Sequence, residues 1–237
     1  MLRQLADPAN AITGTGLVLS VVGISLALAG QPEAGVAVAL WALLADHLDG
    51  VVAKRTKGRA PETGEVGKNL DSLADLVSAG VFPAVTLIGV GQGSFLSVVA
   101  GATLVLASAL RLSYFNVFGS PGGRFIGVPT TYALPVTAVM FLARPLIPAV
   151  AFPELLALTL FALAALHVAP VRIPKTAGAM YVVVTVFCVA ASLALAFGPW
   201  RVGQPPEIRP GQAENSQPAA PGLSPSPSSL VMNIPRR

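Results

Sequence analysis

The sequence predicts an all-α integral membrane protein, a polytopic helical bundle of about six to eight spans, seven being the favoured count. Three observations predict this fold class. Of the 237 residues, 54% are hydrophobic and only 11% are charged, whereas soluble domains carry about 25% charged residues. Apolar runs of about 20 residues, long enough to cross a bilayer, recur along most of the chain. The basic residues are concentrated in a few short loops.

The spans are predicted from the apolar runs and from the glycines and prolines between them, as at "GQP", "GQG", "GSPGGR" and "RPLIP". The predicted spans are residues 10–29, 32–55, 67–90, 94–118, 128–147, 152–168 and 175–197. Residues 1–200 are therefore expected to form one membrane-embedded domain. Residues 201–237 are rich in proline, serine and glycine, and this composition predicts a disordered tail.

The basic residues predict the orientation of the protein in the cell membrane. Short loops that carry lysine and arginine stay in the cytoplasm. All of the basic loops fall on one side of the membrane when the predicted spans are counted, and this side is therefore expected to face the cytoplasm. The residues that support this orientation are Arg3, Lys54, Arg55, Lys57, Arg59, Lys68, Arg124, Arg172 and Lys175.

Four aspartates interrupt the apolar segments near the cytoplasmic ends of the second and third predicted spans. Asp46 and Asp49 are three positions apart, and Asp71 and Asp75 are four apart, so each pair lies on one helical face. An ionised aspartate inside a bilayer costs about 2.5–3.5 kcal/mol, so these side chains are expected to face the protein interior and meet positive charge. Such oxygen ligands suit Mg²⁺ or Mn²⁺, with Ca²⁺ as an alternative, and two divalent ions would neutralise the four carboxylates.

A competing interpretation treats the aspartates as ordinary ion pairs with the neighbouring basic residues. It does not explain their spacing, nor the small residues Gly50, Ala53 and Gly67 that continue the same two helical faces. A histidine or cysteine metal site is not expected, because the chain has two histidines and one cysteine. These three are interpreted as packing or interfacial residues: His47, His167 and Cys188.

The segments "DHLDGVVAK" and "GKNLDSLAD" together resemble the signature of the CDP-alcohol phosphatidyltransferase family. That signature is D-x-x-D-G-x-x-A-R, followed after a short spacer by G-x-x-x-D-x-x-x-D. One of its eight fixed positions differs: the arginine that usually ends the first half is Lys54 here, with Arg55 next to it. The spacer is also a few residues longer than the common form. The other seven positions match: Asp46, Asp49, Gly50, Ala53, Gly67, Asp71 and Asp75.

The resemblance implies that the four aspartates bind two divalent ions, which hold the diphosphate of a CDP-linked lipid such as CDP-diacylglycerol. Asp75 is the implied general base, which removes the proton of the acceptor hydroxyl before CMP leaves. The nucleotide and its phosphates are expected to contact a second set of residues: Gly50, Ala53, Lys54, Arg55 and Gly67.

The flanking segments "LDSLADLVSAGVFPA", "ALRLSYFNV" and "FIGVPTTYALP" resemble, in the same order, those of the bacterial and archaeal branch of the family that uses serine. This implies a serine acceptor, with glycerol phosphate, inositol, inositol phosphate and choline as alternatives, and an ether-lipid donor if the source is archaeal. The Arg111 guanidinium suits bidentate binding of a phosphate or carboxylate, although a snorkelling arginine is the alternative. The candidate acceptor or phosphate contacts are Arg111, Asn116, Arg124 and Thr130.

Two other classes of membrane protein are alternative interpretations of the aspartate motifs. An intramembrane prenyltransferase carries its two aspartate motifs far apart, whereas Asp49 and Asp71 are 22 positions apart on consecutive predicted helices. An ion carrier is expected to show repeated halves, and the sequence contains no second copy of the aspartate motif. The expected partners are the lipid donor, the small alcohol and membrane lipids. A homodimer is left open, and no nucleic-acid partner is expected.

Overall fold

The structure, a computed structural model, describes residues 1–119, 124–174 and 179–198. In these ranges the helices are α1 Pro8–Leu28, α2 Pro32–Arg55, α3 Pro61–Asp75, α4 Phe82–Val90, α5 Phe95–Phe118, α6 Ala133–Ala143, α7 Phe152–Val168 and α8 Ala179–Phe197. Short 3₁₀ helices lie at Leu2–Ala6, Thr130–Tyr132 and Arg144–Leu146. The strands β1 Arg124–Ile126 and β2 Arg172–Pro174 pair antiparallel. Lys175 and the predicted tail, residues 201–237, lie outside the described residues.

The described helices confirm the predicted all-α polytopic bundle. Within the described residues, five helical segments are long and apolar enough to cross a membrane: Pro8–Leu28, Pro32–Arg55, Pro61–Val90, Phe95–Phe118 and Met180–Phe197. The sixth predicted span has the same bounds as α7, Phe152–Val168, whereas the fifth, residues 128–147, is longer than the α-helix α6 that it contains. Because 3₁₀ turns bound α6 on both sides, its α-helix has 11 residues where the apolar run predicted a full span.

The third predicted span differs from the structure at its start. The helix begins at Pro61 rather than at residue 67, with proline in its first turn and Glu62 beside it, both favourable at a helix N-terminus. A π-helical turn, Leu76–Val81, follows Asp75 at once and joins α3 to α4. Single π turns inside helices are frequent at functional sites, and this one lies directly after the aspartate motif.

Small residues allow α1 and α2 to cross at close range. A Cβ atom built on Gly35 would lie 2.7 Å from the backbone oxygen of Gly23, and one on Gly16 would lie 3.3 Å from the oxygen of Ala42. Close backbone approach through glycine is a common way to pack membrane helices. As a result, α1 runs beside the helix that carries the first aspartate pair.

The segment between β1 and α6 is held against the end of α7. The backbone N–H of Gly127 donates to the Val171 carbonyl at 2.8 Å, and that of Val128 donates to the Leu166 carbonyl at 3.0 Å. Nδ1 of His167 lies 3.0 Å from the Val128 carbonyl. These bonds fix the position of Thr130, which follows two residues later.

At the end of the helices remote from the aspartates, Glu33 in the first turn of α2 forms an ion pair with Arg144, which follows α6. The Arg144 guanidinium also lies over two aromatic rings, with its Cζ atom 5.9 Å from the Phe141 centroid and 5.2 Å from that of Phe152. The Arg144 side chain is 38% exposed, and cation–π contacts at exposed sites contribute about 0.5–1 kcal/mol. The helices are therefore tied together at the end remote from the aspartates.

Candidate active site

The carboxylates of Asp46, Asp49 and Asp71 converge between α2 and α3. Each contributes one oxygen, and these three oxygens all lie within 4.8 Å of one another. Asp49 is 7% exposed, and the other two are half-buried. Three clustered, partly buried carboxylates repel one another unless a cation lies among them, and an all-oxygen donor set fits a hard divalent cation. The residues therefore fit the metal that their spacing predicted.

Asp75 lies one turn beyond Asp71 and lines a cavity shared with Asp46 and Asp71. Arg111 of α5 lines the same cavity and interacts electrostatically with Asp75. Arg111 is 8% exposed, and its Nε atom has no hydrogen-bond partner among the described residues. Its Cζ atom lies 5.6 Å from the centroid of the Phe125 ring. A buried guanidinium with an uncommitted donor is well suited to an anionic ligand.

The shared cavity has a volume of about 360 Å³ and is bounded by α2, α3, α5, α8 and the turn before α6. Thr130 lines it, is 1% exposed, and has a hydroxyl without a partner in the described part of the chain. Buried polar groups are almost always hydrogen-bonded. The cavity therefore presents at least two polar groups, from Arg111 and Thr130, that a bound molecule could satisfy.

A smaller cavity of about 230 Å³ lies beside the first and shares Gly50, Lys68 and Asp71 with it. Ala53 and Gly67 also line it, so the small residues of the motif surround one space. A Cβ atom on Gly50 would meet nothing within 4 Å. These small residues leave space beside α2 and α3, where the family resemblance implies that the nucleotide lies.

The remaining predicted residues take different positions. Lys54 lines the larger cavity, whereas Arg55 is exposed and lines neither of the two cavities described above. Asn116 lines the larger cavity, and its Nδ2 donates to Ser72 Oγ at 2.9 Å. Arg124 begins β1, and its side chain lies outside the described residues.

Three residues of the site were missed by sequence reasoning. The hydroxyl of Thr13 donates a hydrogen bond to the carboxylate of Asp49. Lys68 lines both cavities, and Arg59 lines the smaller one. Lys68 and Arg59 were interpreted as loop charges that set the orientation, and no sequence signal indicates Thr13. Their places depend on how α1 crosses α2 and on the path of the chain between α2 and α3.

An apolar cavity of about 540 Å³ adjoins the larger polar one between α2, α6 and α8. The two share His47 and Thr131. The Nδ1 atom of His47 lies 2.9 Å from the Leu43 carbonyl, and its ring packs edge-on against Tyr181 with centroids 5.6 Å apart. The larger polar cavity thus lies next to an apolar one, an arrangement suited to an amphipathic molecule.

Comparison with known proteins identifies the family. The family model for CDP-alcohol phosphatidyltransferase matches residues 7–200. The chain is 37% identical over 139 residues to archaetidylserine synthase of Methanothermobacter thermautotrophicus, which covers 58% of this chain and 54% of that protein. It is 33% identical over 90 residues to CDP-diacylglycerol–serine O-phosphatidyltransferase of Bacillus subtilis, a match that covers 37% of this chain and 49% of that protein. It is 31% identical over 135 residues to CDP-diacylglycerol–serine O-phosphatidyltransferase of Helicobacter pylori J99, a match that covers 55% of this chain and 54% of that protein.

The chain spans about half the length of these relatives. The family model, in contrast, extends over most of the chain, from the start of α1 past the end of α8. The matched region contains the converging aspartates and both polar cavities. The chain therefore belongs to the CDP-alcohol phosphatidyltransferase family.

Proposed function

We propose that this protein transfers the phosphatidyl group of CDP-diacylglycerol to the hydroxyl of L-serine, producing phosphatidylserine and CMP. The observation that carries the proposal is the convergence of Asp46, Asp49 and Asp71 within 4.8 Å, in a member of this family. The three relatives described above are named either CDP-diacylglycerol–serine O-phosphatidyltransferase or archaetidylserine synthase. These names favour serine over the other alcohols.

The proposed cofactor is a pair of divalent cations, Mg²⁺ or Mn²⁺ with Ca²⁺ as the alternative. Asp46, Asp49, Asp71 and Asp75 are the proposed ligands. When bound, such ions neutralise the diphosphate and stabilise the charge that develops on the leaving group. Among the described residues the cluster consists of carboxylates alone, and such oxygen ligands favour these hard cations over zinc or copper.

Asp75 is the proposed general base. Its carboxylate accepts the proton of the serine hydroxyl, and the serine oxygen forms a bond to the phosphorus that carries the diacylglycerol. The bond between that phosphorus and the bridging oxygen of the diphosphate breaks, so CMP leaves with the bridging oxygen. Arg111, which interacts electrostatically with Asp75, is the proposed contact for the serine carboxylate. Thr130 and Asn116, which line the same cavity, are the proposed polar contacts to the acceptor.

The surroundings support a site at the cytoplasmic membrane surface. The apolar cavity of about 540 Å³ adjoins the polar one, as a diacylated donor requires. The end of α2 and the loop after it carry Lys54, Arg55, Lys57 and Arg59, and the positive-inside rule favours a cytoplasmic location for this loop.

The test is an acceptor panel with purified full-length protein in detergent. CDP-diacylglycerol and CDP-archaeol are each incubated with Mg²⁺ or Mn²⁺ and with serine, glycerol phosphate, inositol, inositol phosphate or choline. Labelled products are then separated by thin-layer chromatography. We expect phosphatidylserine and stoichiometric CMP from serine, and neither from an Asp75→Asn variant. Transfer to a different alcohol would retain the family chemistry and overturn the choice of serine.

A further inference from the structure

Arg59, in the loop between α2 and α3, is held rigidly by the start of α1. Its Nε donates to Oδ2 of Asp7 at 3.1 Å, and its Nη2 donates to Oδ1 of Asp7 at 3.0 Å and to Oδ1 of Asn10 at 2.6 Å. A guanidinium has five N–H groups and no acceptor. Three are committed to these bonds, and the two on Nη1 form no hydrogen bond within the described residues.

The partners of Arg59 are themselves fixed. Asp7 caps α1, because its Oδ1 accepts a hydrogen bond from the backbone N–H of Asn10 at 3.1 Å. The Nδ2 of Asn10 donates to the Gln4 carbonyl at 3.1 Å. The side chains of Arg59 and Asp7 are 18% and 8% exposed, so the pair is shielded from water. Bidentate pairs of this kind fix the plane of the guanidinium as well as its position.

Gly67 explains how the guanidinium reaches α3. A Cβ atom on Gly67 would lie 2.6 Å from Nη2 of Arg59 and would also collide with Oδ1 of Asn10. Glycine therefore lets the Arg59–Asn10 pair pack directly on the helix that carries Asp71. Arg59 also lines the cavity of about 230 Å³, together with Gly50, Ala53 and Asp71.

We propose that Arg59 recognises the cytosine base of the CDP-lipid and excludes uracil, an inference that rests on the proposed function. Cytosine presents two adjacent acceptors, O2 and N3, and the Nη1 group presents two donors. Uracil carries a hydrogen on N3, so two donors would face each other there. Because a guanidinium held by Asp7 can neither accept a hydrogen bond nor turn away, uracil would leave a buried donor unpaired.

The neighbouring residues indicate where the base lies relative to the diphosphate. Asp49 and Asp71 line the same small cavity and belong to the carboxylate cluster proposed to hold the metal ions. Under the proposal, a nucleotide whose phosphates lie at that cluster extends its base into the cavity that Gly50, Ala53 and Arg59 line. The alternative is that Arg59 only fastens the loop to α1, in which case its replacement would lower stability without changing the preference between bases.

The experiment measures the affinities of CMP and UMP for the purified full-length protein in detergent with Mn²⁺, by isothermal titration calorimetry. Wild type is expected to bind CMP at least about tenfold more tightly than UMP, because a hydrogen bond to a charged group contributes roughly 1.5–3 kcal/mol. In Arg59→Gln the ratio should fall to within about threefold, since a glutamine amide can donate to cytosine N3 or accept from uracil N3–H. Lys57→Gln, which removes the same charge from an exposed position in the same loop, should leave the ratio unchanged.

Arg59→Lys is the second variant, should Arg59→Gln fail to fold. Its ammonium can donate to O2, which both bases share, so the ratio of CMP to UMP affinity should again be lower than in wild type. The apparent melting temperature reports any loss of structure. An unchanged CMP to UMP ratio in a folded Arg59 variant, or equal affinities in wild type, would overturn base recognition while leaving the transferase proposal standing. Absence of metal-dependent binding of either nucleotide to wild type would count against both proposals.

Discussion

Thr13 of α1 donates a hydrogen bond to the carboxylate of Asp49 in α2, although the two residues are 36 positions apart in the chain. The bond exists because Gly16, one turn further along α1, lets the two helices approach closely. Thr13 is buried, so its hydroxyl has no competing water. A hydrogen bond to one oxygen of a carboxylate orients the other, which is how residues outside the ligand set influence metal affinity.

Thr13→Val should therefore weaken divalent metal binding without unfolding the protein. Valine has nearly the shape of threonine but cannot donate, and loss of such an orienting partner typically costs 10- to 100-fold in affinity or activity. Mn²⁺ titration followed by electron paramagnetic resonance would measure the affinity directly. Thr15→Val is the matched control, because Thr15 is exposed on the same helix and its hydroxyl bonds only to the Ala11 carbonyl among the described residues. Equal Mn²⁺ affinities in the two variants would refute an orienting role.

Asp71→Asn should lower turnover by more than about 100-fold, since removal of a proposed direct ligand is expected to exceed the effect of removing an orienting partner. The amide keeps the size of the side chain but loses the charge on which a Mg²⁺ or Mn²⁺ shell depends. Excess EDTA should abolish wild-type turnover, and added Mg²⁺ or Mn²⁺ should restore it. Glu65→Gln removes one exposed carboxylate from the same helix and should retain activity. Near-normal rates from Asp71→Asn at low metal concentration would exclude Asp71 as a ligand.

The two glycines of α3 should respond oppositely to alanine. A Cβ atom at Gly64 meets nothing within 4 Å, so Gly64→Ala should gain about 0.5–1 kcal/mol from the better helix propensity of alanine. At Gly67 the added methyl group collides with Asn10 and Arg59, so Gly67→Ala should lower the apparent melting temperature and weaken CMP binding. Thermal unfolding in detergent compares the two variants. A Gly67→Ala protein as stable as Gly64→Ala would show that the Arg59–Asn10 pair moves aside at little cost.

Sequence spacing was sufficient to predict the centre of the site but not its surroundings. Positions three and four apart share a helical face, and consecutive membrane helices pack together, so Asp46, Asp49 and Asp71 had to meet. Thr13 and Arg59 could not be predicted, because their contacts depend on the crossing of α1 with α2 and on the conformation of a loop. The short α6 was missed for a similar reason, since an apolar run does not indicate where α-helix gives way to 3₁₀ turns.

Removal of residues 203–237 should leave activity largely intact. This expectation rests on composition, because a segment rich in proline, serine and glycine lacks the apolar surface needed to pack on a folded domain. The family model matches residues 7–200 and so does not extend into this segment. The truncated and full-length proteins would be compared at matched expression for transfer of the phosphatidyl group to serine. A tenfold loss in a well-folded truncation would assign the segment a part in catalysis.

Arg111→Lys provides the test of the acceptor. Arg111 is buried, interacts with Asp75 and has an Nε donor without a partner among the described residues, which is why it is proposed to bind the serine carboxylate. Lysine keeps the charge but loses the planar pair of donors. The KM for serine should therefore rise by at least about tenfold, while the KM for CDP-diacylglycerol stays within a few-fold. Steady-state kinetics with each substrate varied separately distinguishes the two constants.

The control for this prediction is Arg172→Lys. Arg172 lies in β2 and is exposed, so the same substitution there should change neither constant. If Arg111→Lys instead raised both KM values together, Arg111 would act on the diphosphate or on the metal site as a whole. If neither constant moved, the buried guanidinium would serve only to balance the charge of Asp75. A selective rise for serine is the one result that requires the carboxylate of the acceptor to bind at Arg111, within reach of the base that activates its hydroxyl.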